Sequence, residues 1–225
     1  MNEYVLLLNP DTALFVETLE QSIAYMETHN VITVLGVRHI NENGATAASC
    51  SRFFRLGNHI NHILGLSKLN PKVFKHSTVM KDYDFTMSGE VDQVMGAFMM
   101  VRRSFINRYG FMDERYFVFG EDMDFCRKVW ENGGKVYYNA GISIIHESHG
   151  STENITGKRI CFAQEGRLKY AYKYFNSIQY ILLLLMTLIL EPRTRLVYAA
   201  LKGNFGQMKE TVNAYLLLWQ RRQFR

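Results

Sequence analysis

The sequence predicts an α/β domain, a mixed and mainly parallel sheet flanked by helices, followed by a helical C-terminal tail. Three observations point there. Short, mainly apolar runs, Tyr4–Leu8, Val31–Val37 and Phe98–Val101, read as buried strands. Between such runs lie apolar residues at helical spacing, Leu14, Phe15, Leu19, Ile23 and Met26. Charge also divides the chain: residues 1–150 carry 14 Lys and Arg against 17 Asp and Glu, whereas 151–225 carry 12 against 4. The expected boundary lies at residue 152, with an α/β domain over 1–152 and a basic, apolar tail over 153–225.

At 225 residues and 48% hydrophobic the chain can bury a substantial core. Its three cysteines, Cys50, Cys126 and Cys161, are odd in number and lack CxxC spacing, which argues against a disulfide framework or zinc knuckle and fits a reducing compartment. The start, MNEYVLLLNPD, lacks the basic region and long apolar run of a signal peptide. No basic platform interleaved with aromatic residues is present, so nucleic acid is not an expected partner.

In chain order, the first strand breaks at Asn9-Pro10-Asp11-Thr12. Polar residues at the carboxyl end of a buried strand are where open α/β sheets bind ligands; Asp and Thr equally suit a helix cap. A helix over 13–28 and the strand Val31–Val37 follow, then a turn at Asn41-Glu42-Asn43-Gly44. Pattern weakens from Ser49 to Met87. His59 and His62 are three apart, but with no carboxylate or cysteine beside them a solvated or acceptor-loop position is preferred to a metal pair. Gly96 and Ala97 are small enough for backbone to approach a ligand. Arg102 and Arg103 close the next strand, suited to phosphates or simply to a solvated strand end. Ser104 is expected to cap a short helix that Gly110 stops.

The acidic cluster Glu121, Asp122 and Asp124 opens a helix that ends at Asn132-Gly133-Gly134. Acids in a first helical turn suit the helix dipole. The aromatic-rich segment before them would also desolvate them, and desolvated, like-charged carboxylates make general bases. Both readings stand on the residues alone. Short strands Val136–Tyr138 and Ile142–Ile145 follow, the second ending at His146, with His149 and Ser151 beyond. If strand ends converge, His146 faces the Asp11 loop, and the pair suits Mg2+ or Mn2+ with phosphates as further ligands.

In the tail, Ile178–Leu190 is 13 residues without a charge, too short to span a bilayer comfortably. Pro192 is expected to break it, and Arg193 and Arg195 follow at once. Apolar run and basic flanks together predict peripheral association with an anionic membrane surface.

Four segments in this order, LLLNPDT, VDQVMGAFMMVRR, GFMDERYFVFGEDMDFCRKVWENGGKVYY and IIHESHGS, resemble family 2 glycosyltransferases of the glycosyltransferase-A fold. They look most like bacterial rhamnosyltransferases of O-antigen and cell-wall polysaccharide assembly. The resemblance covers residues 4 to 151. It implies that Asn9-Pro10-Asp11 matches the metal-binding DxD motif, with Asp11 holding Mg2+ or Mn2+ on the donor diphosphate and Asn9 departing from the pattern. It implies that Asp92 and Gly96, with Ala97, line the donor and acceptor sugars. Asp122 matches the general base, with Glu121 beside it, and His146 an additional metal ligand. The implied partners are a nucleotide-sugar donor such as dTDP-rhamnose and a lipid-linked saccharide acceptor, at the cytoplasmic face of the inner membrane. Family members begin with a nucleotide-gripping strand and loop upstream of the DxD position, so the chain is expected to be N-terminally truncated. The alternatives to an inverting transferase are an inactive remnant or membrane-bound module, and a hydrolase using Asp11, Glu121 and His146.

Overall fold

The computed structural model describes residues 3–70, 72–80, 82–146, 156–221 and 224. The chain forms two compact units, the first from Met1–Asp113 and Asp122–Gly150, the second from Glu114–Glu121 and Ser151–Arg225.

The first unit is a mixed sheet with helices against it. Its main strands are β1 (Tyr4–Leu8), β2 (Thr12–Leu14), β3 (Ile32–Ile40), β8 (Phe98–Arg102) and β9 (Lys135–His146), ordered β1-β8-β3-β9-β2. Short strands β4 (Thr46–Ala47) and β6 (Gly89–Glu90) pair with β3 and β9, while β5 (Cys50–Ser51) and β7 (Gln93–Val94) pair with each other. The expected mixed sheet and flanking helices are present, but the sheet is not mainly parallel. Among the described residues parallel pairing is confined to β3 and β9; β1, β2, β4, β6 and β8 all run antiparallel to their neighbours. Apolar runs report burial and are silent on strand direction.

One core joins Met26, Ile32, Leu35, Val37, Phe98, Met100, Ile142 and Ile144. Met26 comes from α1 (Thr18–Thr28). The expected helix over 13–28 is thus shorter, because Thr12–Leu14 pairs with His146–Ile144 and a sheet ladder outweighs helical spacing there. Its buried face is also different: Thr18, Ser22 and Met26 point inward while Leu19 and Ile23 are exposed. The Thr18 hydroxyl donates to the Ser143 carbonyl at 3.1 Å and that of Ser22 to the Thr18 carbonyl at 2.7 Å, which satisfies these polar groups inside.

The two strands expected over 136–145 are one strand, β9. Its register against β3 shifts between Val37 and Arg38, opposite Asn139 to Ser143, and the Asn139 carboxamide accepts from the Gly141 N–H at 2.8 Å within this bulge. The bulge absorbs the polar residues that sequence alone reads as a break. At Gly36 of β3 a side chain has no room, since a Cβ would meet Val94 at 2.5 Å.

The weakly patterned stretch holds α2 (Leu56–Ile63) and α3 (Leu66–Leu69). His59 is buried against the Phe54 ring, not solvated, and His62 lies with its ring 4.1 Å from that of His76. Two further helices are α4 (Arg103–Tyr109) and α5 (Glu121–Glu131). Gly110 ends α4 at φ 77°, as expected, but the N-cap is Arg102 with no side-chain cap, so Ser104 does not cap it.

The second unit is helical: α6 (Thr156–Tyr174), α7 (Ser177–Leu185), a π-helical turn (Met186–Leu190), α8 (Glu191–Leu201) and α9 (Phe205–Arg221). Asn176 and Gln179 form a capping box on α7. Pro192 does not break the apolar run. It sits in the first turn of α8, directly after the π-helical turn, and the helical backbone continues through Leu190 and Glu191. The π-helical turn places the Thr187 hydroxyl 3.0 Å from the guanidinium of Arg167, which also pairs with Glu191 and Gln164. No helix among the described residues is long and apolar enough to cross a membrane.

Candidate active site

Of the expected site residues of the first unit, Asn9, Asp11, Gly96, Ala97, Asp122 and His146 meet at one end of the sheet, joined by the Gly96-Ala97 loop that leads into β8. The carbonyl of buried Ala97 accepts from the Asn9 N–H at 3.2 Å and from the Thr12 hydroxyl at 3.3 Å. Asn9 and Asp11 therefore sit in a turn stitched to the start of β8. The backbone of Gly96 hydrogen-bonds the carboxyl group of Asp122. Asp122 also accepts from the N–H of Met123 at 2.8 Å.

Asp122 is partly accessible, yet the protein packs around its carboxyl, and this desolvation raises its pKa above the usual carboxylate value. The backbone hydrogen bonds from Met123 and Gly96 pull the other way without overcoming burial. A carboxylate raised in this way is a stronger base than one in water. Glu121, half-buried, is the first residue of α5, immediately before it. Asp124, fully buried, points inward from the same helix. Asp92 holds the Phe53 N–H at 2.8 Å with one oxygen, tying the β6–β7 segment to the stretch before α2.

Asp11 and His146, 135 positions apart in sequence, converge as expected. Thr12 pairs with His146 across β2 and β9, and His146 Nε2 lies 3.5 Å from Asp11 Oδ1. That Asp11 oxygen is buried and finds no hydrogen-bond donor among the described residues. A carboxylate oxygen without a donor and an imidazole nitrogen are two of the ligand types that divalent cations accept. No group of three or more His, Cys, Asp or Glu side chains gathers around a possible metal position among the described residues. His39, not anticipated from the sequence, stands beside His146 with ring centroids 5.1 Å apart. Burial pushes its pKa down to about 3, and the nearby His146 ring adds to the effect, so His39 remains a neutral neighbour. The signal for it is positional: β3 outlasts Val37 by three residues and brings His39 opposite Ile144. His149 and Ser151 lie outside the described residues.

Arg102 and Arg103 are not at this site. Arg102 is the last residue of β8, about 13 Å from Phe98 at the ordinary rise per residue, and Arg103 opens α4. Arg102 instead donates to the carbonyls of Ile32 at 2.6 Å, His29 at 3.2 Å and Met26, and lies over the Tyr4 ring. The N–H of Arg103 donates to the Glu3 carbonyl at 2.8 Å. Arg102 is thus the tie that holds the end of α1 to the sheet. Arg102→Met is expected to cost about 2 kcal/mol by stranding carbonyls, lowering Tm by about 5 °C. Affinity for inorganic pyrophosphate, titrated calorimetrically, is expected to stay unchanged; weakened binding with an unchanged melting curve would restore a phosphate-binding role.

The model of glycosyl transferase family group 2 matches residues 4–220 of the chain. The rhamnosyltransferase WbbL of Escherichia coli (strain K12) is 28% identical over 175 residues, which cover 77% of this chain and 61% of that protein. The chain therefore matches somewhat under two thirds of the length of that relative. Among solved structures, the crystal structure of GalNAc-T7 with UDP, GalNAc and Mn2+ aligns with a TM-score of 0.48 and 13% identity, covering 91% of this chain and 35% of that one.

Proposed function

The chain belongs to glycosyl transferase family group 2, and from that premise we propose that it is an inverting glycosyltransferase. In this reading a sugar, rhamnose, passes from a nucleotide-diphosphate donor such as dTDP-rhamnose to a lipid-linked glycan acceptor of cell-surface polysaccharide or O-antigen assembly. The observation that carries the reaction type is Asp122, a desolvated carboxyl at the start of α5 facing the Gly96 backbone. A sugar hydroxyl is a poor nucleophile, and Asp122 takes its proton as the oxygen attacks the anomeric carbon. One base and in-line displacement invert the configuration at that carbon. Rhamnose as the sugar is supported by likeness to a rhamnosyltransferase.

Asp11 and His146 are the residues that would hold Mg2+ or Mn2+, which when bound offsets the charge developing on the leaving diphosphate. The Asn9–Asp11 turn and the Gly96-Ala97 backbone shape the floor beneath the donor sugar, and Asp92, with one oxygen engaged by Phe53, keeps that floor rigid. Glu121 adds negative charge beside the base.

Membrane placement has support in the second unit alone. Ile178, Ile181, Leu182, Leu185 and Ile189 form an exposed apolar stripe along α7 and the π-helical turn, and residues 151–225 hold 12 basic side chains to 4 acidic. The unit docks peripherally on the anionic cytoplasmic face of the inner membrane. One experiment tests both parts. Phosphatidylglycerol vesicles carrying extracted lipid-linked saccharide are mixed with protein, Mg2+ and labelled dTDP-rhamnose, then floated. The protein is expected to rise with these vesicles and not with phosphatidylcholine ones, and label to enter the lipid fraction. Flotation without label sinks the transfer, and label without flotation sinks the docking.

A further inference from the structure

The turn just before Asp122 is strained. Phe119 has φ 67°, a left-handed backbone that bulky residues rarely adopt, and Gly120 follows at 99°. Such strain persists only where the surroundings impose it. Here they are one face of α6. A Cβ built on Gly166 would lie 2.0 Å from the Phe119 carbonyl oxygen, so backbone meets backbone at that glycine. One turn on, buried Lys169 donates to the Arg115 carbonyl. Lys169 is itself held at 2.7 Å by Glu165, which Arg221 of α9 grips at 2.6 Å. One turn before, Phe162 packs its ring 5.1 Å from that of Phe117. Residues 162, 166 and 169 follow helical spacing, so a single stripe of α6 holds the loop at three points.

We propose that Gly166 and Lys169 are positioning residues, which hold in its strained form the Phe119-Gly120 turn from which the chain enters Asp122. The proposal rests on Asp122 being the base. A base misplaced by a fraction of an ångström loses much of its effect, and an eight-residue loop whose Phe117 is 74% exposed is not self-supporting. Glycine is a poor helix former, so its place inside α6 is explained by the approach of the Phe119 carbonyl.

Gly166→Ala is the direct test. Alanine favours the helix, so α6 persists, and the new methyl group drives the turn away. Amide exchange over 116–123 is expected to accelerate at least tenfold while helical circular dichroism is unchanged. In turnover of dTDP-rhamnose with Mg2+, kcat is expected to fall at least tenfold with donor KM within twofold. Lys169→Met, which frees the Arg115 carbonyl without crowding the turn, moves both readouts the same way; if Gly166→Ala loses helicity, this variant carries the test. Unchanged exchange and kcat in a folded variant, or a rise in KM alone, overturns the proposal. Asp122→Asn assayed alongside separates the two ideas. An active Asp122→Asn removes the base and the positioning role together, whereas an inactive one beside wild-type-like Gly166 and Lys169 variants removes only the positioning role.

Discussion

Asp122→Asn is expected to lower kcat by roughly 10²–10⁴-fold, the usual contribution of a positioned general base. Asparagine has the shape of aspartate and its oxygen can still accept from the Met123 N–H, so the start of α5 keeps its geometry. Donor KM should move little. The stability effect has a sign of its own. Burial raises the Asp122 pKa in the folded chain. The stability this group contributes is therefore fully present below its unfolded pKa and is lost as pH rises through the higher folded value. Above its unfolded pKa the group therefore opposes folding, and Asp122→Asn should melt at the same temperature as the parent or above it. That advantage should shrink as pH is lowered toward the ordinary carboxylate range. The same shift sets the acid limb of the parent's pH–rate profile above the usual carboxylate pKa. A folded variant that keeps more than a tenth of parental kcat removes Asp122 from the role of base.

Asp11→Ala carries the second large effect. The Asp11 Oδ1 atom is buried, 3.5 Å from His146 Nε2 and without a donor, so metal-free protein gains nothing from it. Removing it should leave Tm unchanged or slightly raised. Affinity for Mn2+ titrated in the presence of dTDP should fall by about 100-fold, since one charged ligand is lost from a pair. His146→Ala should weaken Mn2+ by a smaller factor, because a neutral imidazole adds less charge. Activity in both variants should fall with metal occupancy and recover in part at high Mn2+. Equal affinity in parent and Asp11→Ala, measured calorimetrically, would place any cation elsewhere.

These two residues show different degrees of legibility. Asp122 stands in a local pattern, an acidic pair after an aromatic-rich loop and before an apolar helix, so a short window is enough to single it out as a candidate. The Asp11–His146 pairing required strand ends to converge, and here they do, through the Thr12–His146 rung. Arg102 shows the limit: a basic residue at a strand end looks the same in sequence whether that end faces a ligand or the opposite rim. Only the direction of β8, with Ala97 at the Asn9 end and Arg102 beside Tyr4, separates them. His59 failed for a related reason, since a histidine buried against Phe54 and one in solvent share the same neighbours in sequence.

By itself the amino-acid sequence determined what is written in short windows: the apolar runs of β1, β3 and β8, the start and glycine end of α5, the acidic cluster at its head, and the basic excess of the last third. Such features depend on hydrophobic burial and helix spacing over a few residues. Tertiary structure alone decided the antiparallel majority of the sheet, the continuity of β9 through its bulge, the buried face of α1 and the grip of α6 on the strained turn before Asp122. Each of these is set by a hydrogen bond or close contact between residues some tens to more than a hundred positions apart, as in Thr18 to Ser143 or Gly166 to Phe119. Partners at that separation are chosen by the packing of the whole sheet or helix layer, where a saturated hydrogen bond or an excluded methyl group outweighs local preference.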